Sequence, residues 1–117
     1  TDNISPTGTI ISPSSGSSVS GSIDISINAI DNIEVGFVDI IIDGSLAFTD
    51  SIAPYYYEWN TLNEIEDAQH IINVNIYDIS GNTTTLFPVS VFVNNTIDPD
   101  NISPSIIIVS LFGTIKP

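Results

Sequence analysis

The stretch Ser22-Ile23-Asp24-Ile25-Ser26-Ile27-Asn28-Ala29 decides the fold. Ile23, Ile25, Ile27 and Ala29 face one way; Ser22, Asp24, Ser26 and Asn28 face the other. A period of two carried by β-branched residues is the mark of a half-buried strand. Asp31-Asn32 breaks it. Val38, Ile40 and Ile42 then alternate with Asp39 and Ile41, and Asp43-Gly44 gives a hairpin signal. A short strand near 45–49 follows. Tyr55, Tyr57 and Trp59 alternate with Tyr56 and Glu58, and polar residues 60–69 form a connection. Ile72, Val74 and Ile76 alternate with Asn73, Asn75 and Tyr77, and Ser80-Gly81-Asn82 turns the chain. Phe87, Val89, Val91 and Val93 close the series, with Pro88 marking an irregular or edge strand. No helical period of useful length appears. About seven strands at regular spacing predict an all-β, antiparallel two-sheet sandwich.

Composition narrows the roles. The 117 residues hold one Lys plus Arg against 14 Asp plus Glu, a net charge of -13, while 42% are hydrophobic. That length suits one domain, and the apolar content argues against disorder. With Lys116 as the only cation, neither nucleic acid nor an anionic membrane surface is a fitting partner, because phosphate binding needs several. No apolar run reaches the roughly 20 residues of a spanning helix. The absence of Cys, with a single His, removes disulfide frameworks and zinc sites. A surface of carboxylates, hydroxyls and amides suits an extracellular protein at the cell surface. The chain starts without Met or a signal peptide, as a mature form or a fragment does.

The order of the pieces resembles bacterial and archaeal extracellular Ig-like tandem repeat domains, close to the fibronectin III sandwich. The matching pieces are Ser12-Pro13 with Val19-Ser20-Gly21, then Ala29-Ile30-Asp31, then Val38-Asp39 leading to Ile42-Asp43-Gly44. Next come Pro54-Tyr55 through Trp59-Asn60-Thr61, and His70 through Tyr77-Asp78-Ile79-Ser80-Gly81-Asn82. They cover about residues 5–94. A departure lies at Ala68-Gln69-His70, where the family often has Gly. The resemblance implies an Ig-like sandwich that is a non-catalytic module of surface proteins.

An internal repeat supports a tandem arrangement. Asp2-Asn3-Ile4-Ser5-Pro6 recurs as Asp100-Asn101-Ile102-Ser103-Pro104, offset by 98 residues, which is the length of one sandwich. The expected divisions are therefore a sandwich over 1–97, an Asp/Asn linker over 98–104, and an extra apolar strand over 105–117. That last segment carries Ile106, Ile107, Ile108, Val109, Leu111, Phe112 and Ile115. Left alone, it would expose apolar surface and unpaired backbone. It is the first strand of a further repeat, a strand that folds back on its own sandwich, or one donated to a neighbouring copy. A donated strand gives an open head-to-tail filament.

Acidic residues gather at the joints. In an Ig-like sandwich the start of the first strand shares one end with the loops that carry Asp31 and Asp78. Asp2, Asn3, Asp31 and Asp78 are thus expected at one pole, with Asp98, Asp100 and Asn101 as the counterpart in the linker. Hard oxygen ligands without a neighbouring cation suit Ca²⁺, and the linker is similar to the Asp/Asn-rich linker of cadherins. The competing explanation is that Asp and Asn here only form turns. Four sequons make Asn3, Asn82, Asn94 and Asn101 candidate glycosylation positions.

Catalysis finds little support. His70 is the single His, no Gly-x-Ser-x-Gly elbow occurs, and Glu58, Glu64, Glu66 and Asp67 read as solvated edge and loop residues rather than a glycosidase pair. Tyr55, Tyr57 and Trp59 share the core face, leaving Tyr56 as one exposed aromatic. The expected function is a non-catalytic structural module of a surface filament, stalk or adhesin, its partners being copies of itself or neighbouring repeats. The alternative is a glycan-binding module of a larger secreted protein.

Overall fold

A computed structural model describes residues 2–65 and 67–95. Its strands are β1 (Thr7–Ser12), β2 (Ser18–Val19), β3 (Ser22–Ile30), β4 (Val35–Ile42), β5 (Ser45–Asp50), β6 (Tyr55–Asn60), β7 (Ala68–Asp78), β8 (Thr83–Thr85) and β9 (Val89–Val93). One sheet has the order β1-β3-β6; the other has β2-β9-β7-β4-β5, with β8 also paired to β7. All pairings are antiparallel except β2 with β9. The two sheets stack as an Ig-like sandwich. The N-terminal strand crosses from one sheet to the other between β1 and β2, and β8 and β9 are one strand interrupted. Counting each broken strand once gives the expected seven.

The core follows the alternation. Ile25 and Ile27 from β3, Val38, Ile40 and Ile42 from β4, Trp59 from β6, and Ile72, Val74 and Ile76 from β7 all point between the sheets. Each such side chain, fully buried, contributes about 1.5–3 kcal/mol. Both sheets and this core lie within residues 7–93. The β4–β5 hairpin closes on Asp43 and Gly44, with φ of 52° and 85°. That pair of positive angles is what a two-residue turn between twisted strands requires.

One boundary and one side chain differ from expectation. Strand β7 begins at Ala68 rather than at His70, because backbone pairing with β9 already includes Ala68 and Gln69. Just before it, Asp67 adopts the left-handed conformation at φ 51°, a backbone that glycine takes more readily. Phe87 does not join the core: it is 94% exposed, and Leu86 is buried in its place. Leu86 N–H still donates to the Val74 carbonyl, while Val89 pairs with Ile72. Two residues, Phe87 and Pro88, therefore stand where one would keep the register. Pro88 lacks an N–H for the ladder, and the resulting bulge turns Phe87 outward.

Strand directions define two poles. Chain entry near Asp2, the 31–34 loop, the 51–54 loop and the 79–82 turn share the leading pole. The Asp43-Gly44 turn, residues 61–65, Asp67 and the end of β9 share the trailing pole. The chain thus enters and leaves the sandwich at opposite ends.

Candidate functional site

At the leading pole three segments far apart in sequence bring Asp2, Asp31 and Asp78 together. One carboxylate oxygen from each lies within 4.8 Å of the others. Local hydrogen bonds fix each side chain. Asp31 Oδ2 accepts the N–H groups of Ile33 (3.1 Å) and Glu34 (3.2 Å), which shapes the β3–β4 loop. Asp78 Oδ1 accepts from Ser80 N (2.9 Å) and Asn82 N (2.8 Å), and Asp78 Oδ2 from Asn82 Nδ2 (2.8 Å). Asp2 Oδ1 accepts from Ile4 N (3.0 Å) and Asn32 Nδ2 (3.1 Å). Asn82 Nδ2 also donates to the Asp2 carbonyl at 3.0 Å, tying the incoming chain to the β7–β8 turn.

Two oxygens are left over. Asp2 Oδ2 and Asp31 Oδ1 are buried and accept no hydrogen bond. Unpartnered buried carboxylate oxygens are costly unless something positive meets them. Burial pushes the Asp78 pKa up, but hydrogen bonds from the Asn82 side chain and backbone, from the Asp2 side chain and from the Ser80 backbone outweigh this and hold it below the ordinary range. Asp78 therefore contributes a fixed negative charge. An ionised carboxylate beside two orphaned oxygens, with no Lys or Arg among the described residues, is a donor set suited to a hard divalent cation.

Of the other residues singled out as metal ligands, Asn3 is exposed and lines the hollow beside the cluster with Ile4, Asn32, Ile33 and Ser80. Asp98, Asp100 and Asn101 lie outside the described residues, as do the whole assembly strand (Ile106, Ile107, Ile108, Val109, Leu111, Phe112 and Ile115) and the 98–104 linker. Among the sequons, Asn3 and Asn94 are exposed. Asn82 is different: its Nδ2 holds Asp78 and Asp2, and a glycan there would require those bonds to be given up.

A second cluster sits at the trailing pole and was not apparent from spacing. His70, 3% exposed, places Nδ1 2.5 Å from Asp43 Oδ2 and Nε2 3.0 Å from the Ile65 carbonyl. Glu64 Oε1 is 3.8 Å from Nδ1, and Glu64 Oε2 accepts from Trp59 Nε1 at 3.1 Å. A carbonyl only accepts, so Nε2 carries a proton and Nδ1 is the nitrogen that faces Asp43. One ligand atom each from Asp43, Glu64 and His70 lies within 4.8 Å of the others, so this is a second group of residues able to meet a cation. Burial lowers the His70 pKa, but the bonds to Ile65 and Asp43 and the charges of Asp43 and Glu64 outweigh it and raise the pKa above 6.5.

A pH dependence follows. A folded pKa above the unfolded one gives stability that is fully present below about pH 6.5 and lost as pH rises through the folded value. Asp43 keeps 42% of its side chain exposed, so solvent screens the pair and the effect is about 1 kcal/mol. Urea unfolding of the chain between about pH 6 and 9 should show this decline, and His70→Gln should flatten it. An identical slope in the variant would contradict the assignment.

Trp59, at 2% exposed, belongs to the core, and Tyr56 is half exposed. Phe48 stacks on Tyr57 with ring centroids 5.5 Å apart, closing the open side of the sandwich between β5 and β6. Among the described residues no helix is long and apolar enough to cross a membrane.

Solved structures share this architecture. The fibronectin(III)-like modules of Clostridium thermocellum CbhA superpose with a TM-score of 0.65 at 30% identity, over 79% of this chain and 48% of that one. The endo-β-1,4-mannanase of Thermotoga petrophila gives a TM-score of 0.65 at 16% identity, over 81% of this chain and 21% of that one. The Bacteroides ovatus SGBP-B of a mixed-linkage glucan utilization locus, solved with a mixed-linkage heptasaccharide, gives 0.57 at 14% identity, over 85% and 27%. The last two likenesses show the fold alone. The chain spans less than half the length of each of these structures. A search of curated proteins finds no match. Residues 6–74 match the family described as bacterial Ig domain. The chain belongs to the bacterial Ig domain family.

Proposed function

We propose that this Ig-like domain is a structural module of an extracellular surface filament, stalk or adhesin. Successive units join head-to-tail through residues 98–115, and Ca²⁺ at the leading pole stiffens the joint. The observation that carries this reading is the Asp2–Asp31–Asp78 cluster with its two orphaned oxygens, set where the chain enters the sandwich. Asp2 belongs to the incoming segment, whereas Asp31 and Asp78 belong to the sandwich body. A cation held by all three fastens that segment to the body, and with it whatever precedes the module. Recurrence of the same Asp-Asn pair at 100–101 puts an equivalent fastening one module further on. Chain entry and exit at opposite poles suit a row of modules.

Light-scattering mass of the chain after size exclusion tests the joining segment. The expected result is a mass above 12.5 kDa in Ca²⁺ that falls to the monomer when residues 105–117 are deleted, with the sandwich still folded. A 12.5 kDa monomer for the full chain in Ca²⁺ would contradict joining through that segment.

A further inference from the structure

At the trailing pole three side chains from separate segments turn one polar atom each toward a common point. Asp43 sits in the β4–β5 turn, Glu64 follows the short helical turn Thr61–Asn63, and His70 lies on β7. The second polar atom of each is fixed by a group outside the cluster. Asp43 Oδ1 accepts from Ile71 N at 2.9 Å, Glu64 Oε2 accepts from Trp59 Nε1 at 3.1 Å, and His70 Nε2 donates to the Ile65 carbonyl at 3.0 Å. The remaining oxygens, Asp43 Oδ2 and Glu64 Oε1, stand 2.5 Å and 3.8 Å from His70 Nδ1.

The buried imidazole separates this cluster from ordinary surface acids. His70 is 3% exposed, and the Ile65 carbonyl sets which nitrogen faces the carboxylates. An imidazole whose other N–H rests on a backbone carbonyl is held as metal-bound histidines are held. A hydrogen bond from Nδ1 serves Asp43 alone, because Glu64 Oε1 is beyond hydrogen-bond distance. Two carboxylates therefore converge on a nitrogen that needs one. Beside them a hollow of about 360 Å³ opens on Asp43 and Glu64 between Leu46, Tyr57 and Trp59, with room for water.

We propose that Asp43, Glu64 and His70 form a second cation site, one for a first-row divalent ion such as Zn²⁺, with water from the hollow completing the coordination. One imidazole is enough here because two carboxylates join it. The nitrogen also sets this pole apart from the all-oxygen leading pole, since Ca²⁺ takes oxygen ligands. Ligand atoms around a tetrahedral ion bonded at about 2.0–2.1 Å lie about 3.4 Å from one another. Glu64 Oε1 is already near that distance from Nδ1. Asp43 Oδ2 has to withdraw by about 1 Å, which a side chain 42% exposed on a turn can do. Coordination uses the Nδ1 lone pair, so a proton on that nitrogen passes to water as the ion binds. The bound ion ties the β4–β5 turn, the 61–65 connection and β7 together.

The test uses the 117-residue chain with Zn²⁺ as the probe. His70 is its single His, so a long-range ¹H–¹⁵N spectrum of the ring reads the site without any variant. One equivalent of Zn²⁺ should move Nδ1 to the position of a metal-bound nitrogen while Nε2 keeps its proton. The change should persist in excess Ca²⁺, which competes for oxygen-only sites. Calorimetric titration should give one strong Zn²⁺ site per chain. Glu64→Gln keeps an oxygen for Trp59 Nε1 and should weaken that site by at least about tenfold. The net charge of -13 invites loose binding on surface carboxylates, and the ring spectrum tells it apart. Absence of Zn²⁺ binding, an unmoved Nδ1 signal while Zn²⁺ binds, loss of the change in Ca²⁺, or equal affinity in Glu64→Gln would each overturn the site. A chain that binds Zn²⁺ through Nδ1 but takes up no Ca²⁺ supports this site and overturns the calcium reading alone.

Discussion

Calcium at a hundredfold excess over its dissociation constant is expected to stabilise the chain by about 2.7 kcal/mol. For a domain of this size that moves the melting temperature by about 10–20 °C. The effect arises because the three carboxylates converge only in the folded chain. Residues 2, 31 and 78 are far apart in sequence, so the unfolded chain offers no comparable site and the ion binds one state alone. Asp31→Asn should remove most of the shift. The amide oxygen of that variant can still accept the Ile33 and Glu34 N–H groups and preserve the loop, while one negative charge is lost. The measurement is a calorimetric melt in Ca²⁺ and again in chelator, for both proteins. Equal melting temperatures in the parent chain would sink the proposal; an undiminished shift in the variant would remove Asp31 from the site.

Gly8→Ile should destabilise the sandwich by about 3 kcal/mol or more, at the upper end of overpacking. A Cβ at position 8 would overlap the Asn28 carbonyl oxygen and lie 2.7 Å from Ile76 Cδ1. The carbonyl is backbone in the middle of the β1–β3 pair and has nowhere to move. Thr9→Ile, on the exposed face of the same strand, is the control and should change stability by no more than about 0.5 kcal/mol. Urea midpoints of the two variants decide it, and equal midpoints would contradict the close approach. The result bears on assembly, because Ile106 stands at the Gly8 position when the sequence is shifted by 98 residues. A segment carrying Ile106 cannot replace β1 of this module in that register. It is better suited to being the first strand of a sandwich that leaves room for a side chain there, or to adding outside β1 rather than in its place.

Much of the fold was legible because alternation survives wherever a strand has one wet face. Ile23 to Ala29, Val38 to Ile42 and Ile72 to Ile76 are buried on the side the pattern gives. Phe87 misled because hydrophobicity cannot reveal a bulge, and a single extra residue at Pro88 reverses the face. The meeting of Asp2, Asp31 and Asp78 was legible only with the Ig-like strand order in hand, since spacing alone does not bring these positions together. The Asp43–His70–Glu64 network was not legible at all. Asp43 read as a turn residue, His70 as a strand start and Glu64 as loop, and each is also that. Their second role depends on the passage of residues 61–65 across the trailing pole, which no local pattern encodes. Gly8 was equally silent, because a Gly within a strand does not say which neighbour comes close.

A calcium ion held at the leading pole by Asp2, Asp31 and Asp78 is the centre of the proposed mechanism. Calorimetric titration of CaCl₂ into the 117-residue chain tests it most directly. The expected result is one ion bound per chain, with binding lost or strongly weakened in Asp31→Asn. No binding heat at any temperature, or unchanged binding in that variant, would contradict it.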